Sequence, residues 1–416
     1  MKILLSHLTG NAFVKAATYG LIEAGMLSDF HVGIASVPGS MIDRIGAIKL
    51  FSEIRRRRYD AVVKPFLHTW PWFEMGRLLA IKGGFSKLAN QKGSPFNIDS
   101  VLQNIDKHVA KYLVNAEKKG LNAVYAYEDS SLHTFRKSKN LGLQCLYDLP
   151  IGYWRTLHRL LGEERERWPD WVNTMPGLND PEEKLFNKDE ELRLADRIFV
   201  ASTFTAKTLA DFPGILAPVE IIPYGFPPVY NKEREYSNLE RKNRLKLLFV
   251  GGLSQRKGIA DLFKAVESFD QRVDLTIVGR KAGEDCPALN KALARHRWIP
   301  TLSHQDVLQL MRQNDVLVFP SLFEGFGLVI TEAMSQGTPV ITTDRTAGPD
   351  VIENGKNGWL IQAASTEALK ESIEGILIKP GLVKELGIAA IEKARLRPWE
   401  IYGREIAAAI QKHFHQ

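Results

Sequence analysis

Short apolar, β-rich runs alternate with stretches of helical apolar spacing along all 416 residues. That alternation predicts βαβ units and parallel sheets. In the first half the runs predict strands at Ile3–Ser6, Val32–Ser36, Ala61–Lys64, Ala123–Tyr127, Cys145–Asp148, Ile198–Ala201 and Val219–Pro223. In the second half they predict strands at Leu247–Gly251, Leu275–Gly279, Val316–Phe319, Val340–Thr343 and Trp359–Ile361. Between the two sets, Phe226 to Arg244 carries Pro227-Pro228 and a charged run from Asn231, and reads as a linker. The expected division is a first domain over 1–228, a linker over 229–244 and a second domain over 245–397, followed by a tail over 398–416 with an apolar helix at Ile406–Ile410.

One strand-turn-helix unit stands out: Phe319-Pro-Ser-Leu-Phe-Glu-Gly-Phe-Gly-Leu-Val-Ile-Thr-Glu-Ala-Met-Ser-Gln-Gly-Thr-Pro-Val-Ile-Thr-Thr343. A buried strand ends at Phe319, Gly325 and Gly327 let the backbone turn sharply, and Gly337 with Pro339 ends the helix that follows. Free N–H groups around Phe326, Gly327, Leu328 and Val329 form an anion-binding helix start, with Glu324 in the turn and Glu332 just inside the helix. Such an arrangement suits a phosphate-bearing ligand with hydroxyls for the two carboxylates to hold.

A second loop adds cations. After Leu247-Leu-Phe-Val, the chain turns through Gly251-Gly252 and presents Arg256-Lys257 before Gly258 and a helix. Two cations there can clamp a diphosphate, although a basic turn is by itself an ordinary solvated surface.

Composition narrows the class. With 44% hydrophobic and 25% charged residues, the chain can bury two cores of roughly 150 to 200 residues each. Lys and Arg number 55 against 48 Asp and Glu, a net charge of +7, compatible with anionic substrates or an anionic membrane surface and too small to argue for nucleic acid. Cys145 and Cys286 are the two cysteines, so neither a disulfide framework nor metal-ligand spacing is present and a reducing, cytoplasmic setting is expected. The opening Met-Lys-Ile-Leu-Leu-Ser-His is too short for a signal peptide, and no stretch reaches the roughly 18 to 20 apolar residues of a membrane span. A soluble or peripheral protein is expected.

The string Phe-Glu-Gly-Phe-Gly, then Thr-Glu-Ala, then Gly-Thr-Pro-Val-Ile-Thr resembles the Glu-x7-Glu signature of retaining glycosyltransferases of family 4. The resemblance is dense over 245–362 and thin elsewhere. It implies a GT-B fold of two Rossmann-like, doubly wound parallel-sheet domains facing a cleft, with the C-terminal helix crossing back to the first domain. It implies transfer of a sugar from a nucleoside diphosphate sugar to a hydroxyl of a glycan or glycolipid, as in cell-surface polysaccharide synthesis. In that family the first glutamate, Glu324 here, holds donor sugar hydroxyls near the reacting carbon, and the second, Glu332, holds the ribose. The family's phosphate loop carries an Arg after its first Gly and a Lys before its later one. Here Gly252 fills the Arg position, Lys257 carries over, and Arg256 is the candidate substitute. The family also implies backbone contact with the nucleobase at Ile299, and transfer on one face with the leaving phosphate taking the acceptor's proton. No Asp-x-Asp occurs, so metal independence and no cofactor are expected. A sugar-nucleotide epimerase of the same fold and an inactive partner subunit remain as alternatives.

On the acceptor side the signals are weaker. Gly10 precedes a helix after the first strand; Glu128, Asp129 and His133 follow the strand ending at Tyr127; Asp148 closes the next one. Relatives carry a pocket histidine near Tyr127-Glu128, and this chain departs from that pattern. His133 reads as surface or packing before catalysis, and the loop from Arg345 to Ile352 as scaffold. Arg55, Arg56, Arg57 and Arg58 precede Tyr59, with Phe66, Trp70, Trp72 and Phe73 beyond. That run is either a solvated face or a basic, aromatic rim for an anionic membrane.

Overall fold

The computed structural model describes residues 1–39, 57–175, 178, 180–236, 244–283 and 285–415. Two parallel sheets form. The first has seven strands in the order β3-β2-β1-β4-β5-β6-β7, and the second six in the order β10-β9-β8-β11-β12-β13. Their ranges are β1 Ile3–His7, β2 Leu27–Val32, β3 Leu67–Thr69, β4 Ala123–Tyr127, β5 Gln144–Leu149, β6 Arg197–Val200 and β7 Val219–Ile221, then β8 Leu245–Val250, β9 Val273–Val278, β10 Arg297–Ile299, β11 Val316–Phe319, β12 Val340–Thr343 and β13 Trp359–Ile361. Both are doubly wound, so this is the two-domain Rossmann-like architecture that the sequence predicts.

Buried-run strands match best. β4, β11 and β12 are buried throughout and keep the predicted limits, because a fully covered parallel strand is a continuous apolar run. Two expectations fail at the sheet's edge. Ala61–Lys64 lies in a 3-10 helix, Ala61–Phe66, whose last turn holds Pro65 and in which only Val63 is buried; the edge strand is Leu67–Thr69 instead. The strand expected at Val32–Ser36 runs earlier, over Leu27–Val32, and Ser36 makes an isolated bridge to Arg58. The three-residue β10 was not predicted as a strand, since Arg297-Trp-Ile carries too little apolar length to stand out.

The tail does cross back. Helix Trp399–His415 packs along helix Ala12–Glu23, and a Cβ on Gly20 would lie 2.0 Å from the Gly403 carbonyl oxygen. Only paired glycines allow that approach. The outgoing and returning chains meet where Phe226 N–H donates to the Arg397 carbonyl at 2.8 Å. Tyr224 then links the two cores, stacking on Phe13 at 4.7 Å and lying 4.9 Å from Phe326. Among the described residues no helix is long and apolar enough to cross a membrane.

Candidate active site

The site follows from strand order. In the second sheet β8 and β11 are neighbours on either side of the point where the winding reverses. Loops leaving two such strands diverge to opposite faces and open a crevice at the C-terminal edge. The loop after β8 carries Arg256 and Lys257, and the loop after β11 carries Glu324. Gly327 (φ 88°) caps helix Leu328–Ser335 as expected and Gly251 leads the chain out of β8, whereas Gly325, expected to turn with Gly327, has no positive φ. Gly258 (φ 69°) allows the close pass beside β11, since a Cβ there would sit 2.0 Å from the Pro320 carbonyl.

Both cations converge on one oxygen of Glu324. Lys257 Nζ contacts Glu324 Oε1, Arg256 Nη1 lies 3.2 Å from the same atom, and the Ser321 hydroxyl donates to it at 2.9 Å. Arg256 is held in place by donating to the Phe323 carbonyl at 2.7 Å. Burial lowers the Lys257 pKa from its ordinary value, with Glu324 opposing and Arg256 adding repulsion. A half-buried pair of cations against one carboxylate leaves an excess of positive charge at the mouth of a helix. Gly252, in the position where an Arg was expected, is exposed with open space where a side chain would start.

Glu332 lies one turn into the helix, and burial raises its carboxyl. Its Oε1 stands 3.7 Å from Nδ1 of His304, the first residue of helix His304–Gln313. Neither Ser321 nor His304 was singled out from the sequence. Ser321 had a local signal, a hydroxyl three residues before a turn carboxylate; His304, 28 positions from its partner by number, had none. The Ile299 carbonyl already accepts from Gly279 N–H at 3.0 Å. Phe326 is buried at the interface with its carbonyl accepting from Ala347, while Leu328 and Val329 are half-buried on the first helical turn.

The other wall of the cleft is the first domain's C-terminal strand edge. A Cβ on Gly325 would lie 1.8 Å from the Pro150 carbonyl, just past β5. The Gly325 carbonyl accepts from Ser202 at 2.6 Å and from Thr205 at 2.9 Å, just past β6. Asp350 accepts from Thr203 N–H at 3.0 Å, so the loop from Arg345 to Ile352 also reaches the first domain. Behind these contacts, Arg167 pairs with the buried Asp261, and Gln255 donates to Glu164 at 2.8 Å.

The acceptor-side candidates scatter. Gly10 is explained by Tyr59, whose hydroxyl occupies the space a Cβ would need, at 1.6 Å. Asp148 points inward and accepts from the Tyr125 hydroxyl at 2.6 Å; burial pushes its carboxyl up to about 7. Glu128 pairs with Lys188 at 2.8 Å and Asp129 with the same lysine at 3.1 Å. His133 lies in the first turn of the adjoining helix, Leu132–Asn140, its N–H donating to Asp106 at 2.7 Å, and it borders with Asp129 and Lys188 a cavity of only about 30 Å³. His7, which sequence reasoning did not select, ends β1 with its ring edge-on to Tyr127 at 4.7 Å, and burial pushes its pKa down to about 4. A cavity of about 1150 Å³ opens at Lys246, Val273 and Asp315, the opposite edge of the second sheet.

The arginine run divides. Arg57 turns inward to the buried Glu74, which also accepts from Arg77 at 2.7 Å, so it is not part of a solvated rim. Arg58 is exposed, and Arg55 and Arg56 lie outside the described residues. Trp70 donates to Asn104 at 2.7 Å and Phe73 packs against the core, leaving Trp72 open to solvent.

A cationic loop, a carboxylate turn and a glycine-capped helix at the reversal point of the second sheet are therefore one constellation. Residues 231–393 match the family glycosyl transferases group 1. Both loops of the constellation lie within that match. The chain is 32% identical over 167 residues to a phosphatidyl-myo-inositol mannosyltransferase of Mycobacterium leprae, covering 38% of this chain and 44% of the relative. It is 29% identical over 163 residues to the capsular polysaccharide biosynthesis glycosyltransferase CapM of Staphylococcus aureus, covering 37% and 42%. The matches thus span less than half the length of these curated relatives. Across the whole fold, the structure is similar to the sucrose-phosphate synthase of Thermosynechococcus elongatus (TM-score 0.63, 18% identity, 100% of this chain and 99% of the other). It is also similar to HepE of Anabaena in complex with UDP and glucose (TM-score 0.61, 18% identity, 99% and 100%). These neighbours have the GT-B fold, two Rossmann-like domains facing a cleft.

Proposed function

We propose that the protein is a retaining, family 4-type glycosyltransferase that moves a sugar from a nucleoside diphosphate sugar to a hydroxyl of a glycan or glycolipid acceptor. The observation that carries this reading is the convergence of Lys257, Arg256 and Ser321 on Glu324 at the helix start. On donor binding, the two cations and the N–H groups from Phe326 to Val329 neutralise the diphosphate as it leaves. Glu324 holds sugar hydroxyls and Glu332 the ribose, each accepting from paired O–H donors. The leaving phosphate takes the acceptor's proton on the same face, so no protein base is assigned. In this reading 245–397 is the donor domain, and 1–228 with the tail 398–416 the acceptor domain. The sugar-nucleotide relatives, including HepE with bound UDP and glucose, support the donor class. We further propose that transfer is metal-independent, because Arg256 and Lys257 supply the charge that a divalent cation would otherwise bring, and that the protein works in the cytoplasm, at the side of nucleotide-sugar supply.

The test is a thermal-shift screen of nucleoside diphosphate sugars, followed by turnover of the best donor with the parent chain and Glu324→Gln, with and without EDTA. Transfer to an added acceptor, lost in Glu324→Gln and unaffected by EDTA, is expected. Conversion of the donor without acceptor would assign an epimerase instead. Tight donor binding with no turnover under any acceptor would assign an inactive partner subunit. Activity abolished by EDTA and restored by Mg²⁺ would overturn metal independence.

A further inference from the structure

The turn that presents the two cations is gripped from the other domain. Gln255 opens the turn Gln255–Lys257 and is wholly buried, while the two residues after it reach Glu324. Its backbone N–H donates to the Thr174 hydroxyl at 3.0 Å, and its side-chain Nε2 donates to Glu164 Oε2 at 2.8 Å. Its Oε1 accepts from Ala260 N–H at 2.8 Å. Thr174 and Glu164 belong to the first domain, 81 and 91 positions earlier in the chain. On its other side the turn is tied to the loop after β11: the Arg256 carbonyl accepts from Leu322 N–H at 2.8 Å and from the Ser321 hydroxyl at 3.1 Å. Burying an amide is costly unless its polar atoms are paired, and both amide atoms of Gln255 are.

A helix carries this grip from one domain to the other. Helix Trp154–Arg167 follows β5 and is rooted in the first domain, where Tyr153 N–H donates to the Thr208 hydroxyl at 2.8 Å and the Thr156 hydroxyl to Asp211 at 2.6 Å. Its 14 residues run about 21 Å. Glu164 and Arg167 occupy the last turn, against the second domain. Arg167 Nη1 lies 3.0 Å from Glu164 Oε1 and 3.0 Å from Asp261 Oδ2, and both carboxylates are buried. One guanidinium therefore joins this strut to helix Ile259–Glu267, which begins directly after the cationic turn.

We infer that Gln255 and Glu164 are positioning residues: the first domain, acting through helix Trp154–Arg167, sets the place of Arg256 and Lys257, and the charge for a leaving diphosphate is fully assembled only while the two domains are closed on each other. The bonds that hold the turn are directional and are lost once donor and acceptor separate beyond about 3.5 Å. A displacement of about 1 Å at a reacting group costs on the order of 10² in rate. A small opening of the cleft thus disarms the turn without unfolding it. The inference rests on the diphosphate clamp proposed above and names what holds that clamp in place.

The test compares the full chain with Gln255→Glu, with Gln255→Glu combined with Glu164→Gln, and with Thr174→Val. The first variant sets two carboxylates against each other with no donor between them. The double variant restores an amide and a carboxylate with donor and acceptor exchanged. Thr174→Val removes the other first-domain partner with a side chain of the same shape. UDP and GDP affinities are measured by calorimetry, kcat with saturating substrates, and the melting temperature for each chain. Gln255→Glu should weaken binding of the nucleotide that the parent prefers about tenfold, and lower kcat about 10²-fold at a temperature where the variant is folded. The double variant should regain most of both losses, and Thr174→Val should shift both in the same direction as Gln255→Glu. Losses confined to the melting temperature would make these contacts structural only and overturn the inference. So would a double variant no better than Gln255→Glu, a Thr174→Val chain identical to the parent, or a parent that binds neither nucleotide. A parent that binds one of them, shows the expected losses of affinity and transfers no sugar would overturn the transferase reading and leave the positioning role standing.

Discussion

Arg256 Nη1 stands 3.2 Å from Oε1 of Glu324, the same carboxylate oxygen that Lys257 contacts. In the proposed reading, this single carboxylate holds two cations in place for a dianionic group. Removing one preorganised charge at a developing anion costs roughly 10²- to 10³-fold in rate, about 3 to 4 kcal/mol. Lys257→Ala should lower kcat by that order, measured with saturating donor. An unchanged kcat would remove the lysine from the leaving-group role.

The two glutamates should separate kinetically. Glu324 sits among the charged groups, whereas Glu332 faces His304 one turn further in. Glu324→Gln should lower kcat and kcat/KM together, and Glu332→Ala should chiefly raise the donor KM, because a ground-state contact is lost equally in substrate and transition state. Steady-state kinetics with varied donor checks both.

Gly252 leaves open space for a side chain, and Arg256 already reaches the site from the middle of the adjoining turn, Gln255–Lys257. Arg256→Ala should cost about 10²-fold in kcat. Adding Gly252→Arg to that variant should recover a measurable part of it, since a second cation returns to the same loop. Failure of the double variant to exceed Arg256→Ala would show that the two positions do not reach the same charge.

Gly325 is one of the places where the domains touch. A methyl there would meet the Pro150 carbonyl at 1.8 Å, backbone against backbone, with no flexible side chain to yield. Gly325→Ala should force the cleft apart, lowering transfer at least 10²-fold while the second domain still binds donor. Small-angle scattering of the variant should report a larger radius of gyration; identical scattering and activity would refute the closed contact.

Asp148 offers a pH test. Burial raises its carboxyl from 3.8 to about 7, so the folded chain keeps a proton that the unfolded chain gives up. Its favourable contribution is complete below the unfolded value and is lost as pH rises through 7. Asp148→Asn should therefore gain on the parent as pH rises from 4 to 8, by on the order of 2 to 4 kcal/mol. Denaturant melts at both ends of that range measure it, and a pH-independent gap would refute the buried carboxyl.

Local periodicity read β11 and β12 well because these strands are buried throughout and the turns around them are marked by glycine. β11, Gly327 and Gly337 fall where the apolar run and the breakers put them. At the rim of the first sheet the same reasoning took Ala61–Lys64 for a strand, because Ala-Val-Val has β character whether or not a neighbour exists to pair with it. Gly10, Glu128 and Asp148 looked like cleft residues by position after a strand, and packing assigned them partners: Tyr59, Lys188 and Tyr125. The arginine run read as one charged patch, yet Arg57 turned inward to a glutamate 17 positions away.

The sequence by itself determined two sets of βαβ units with parallel strands, the glycine-capped helix start and the residue types at the two loops. Those are consequences of apolar spacing and backbone freedom over a few neighbouring positions. That Glu324, Arg256 and Lys257 share one oxygen was decided by tertiary structure. They lie 67 and 68 positions apart, and only the reversal of strand order between β8 and β11 brings their loops together.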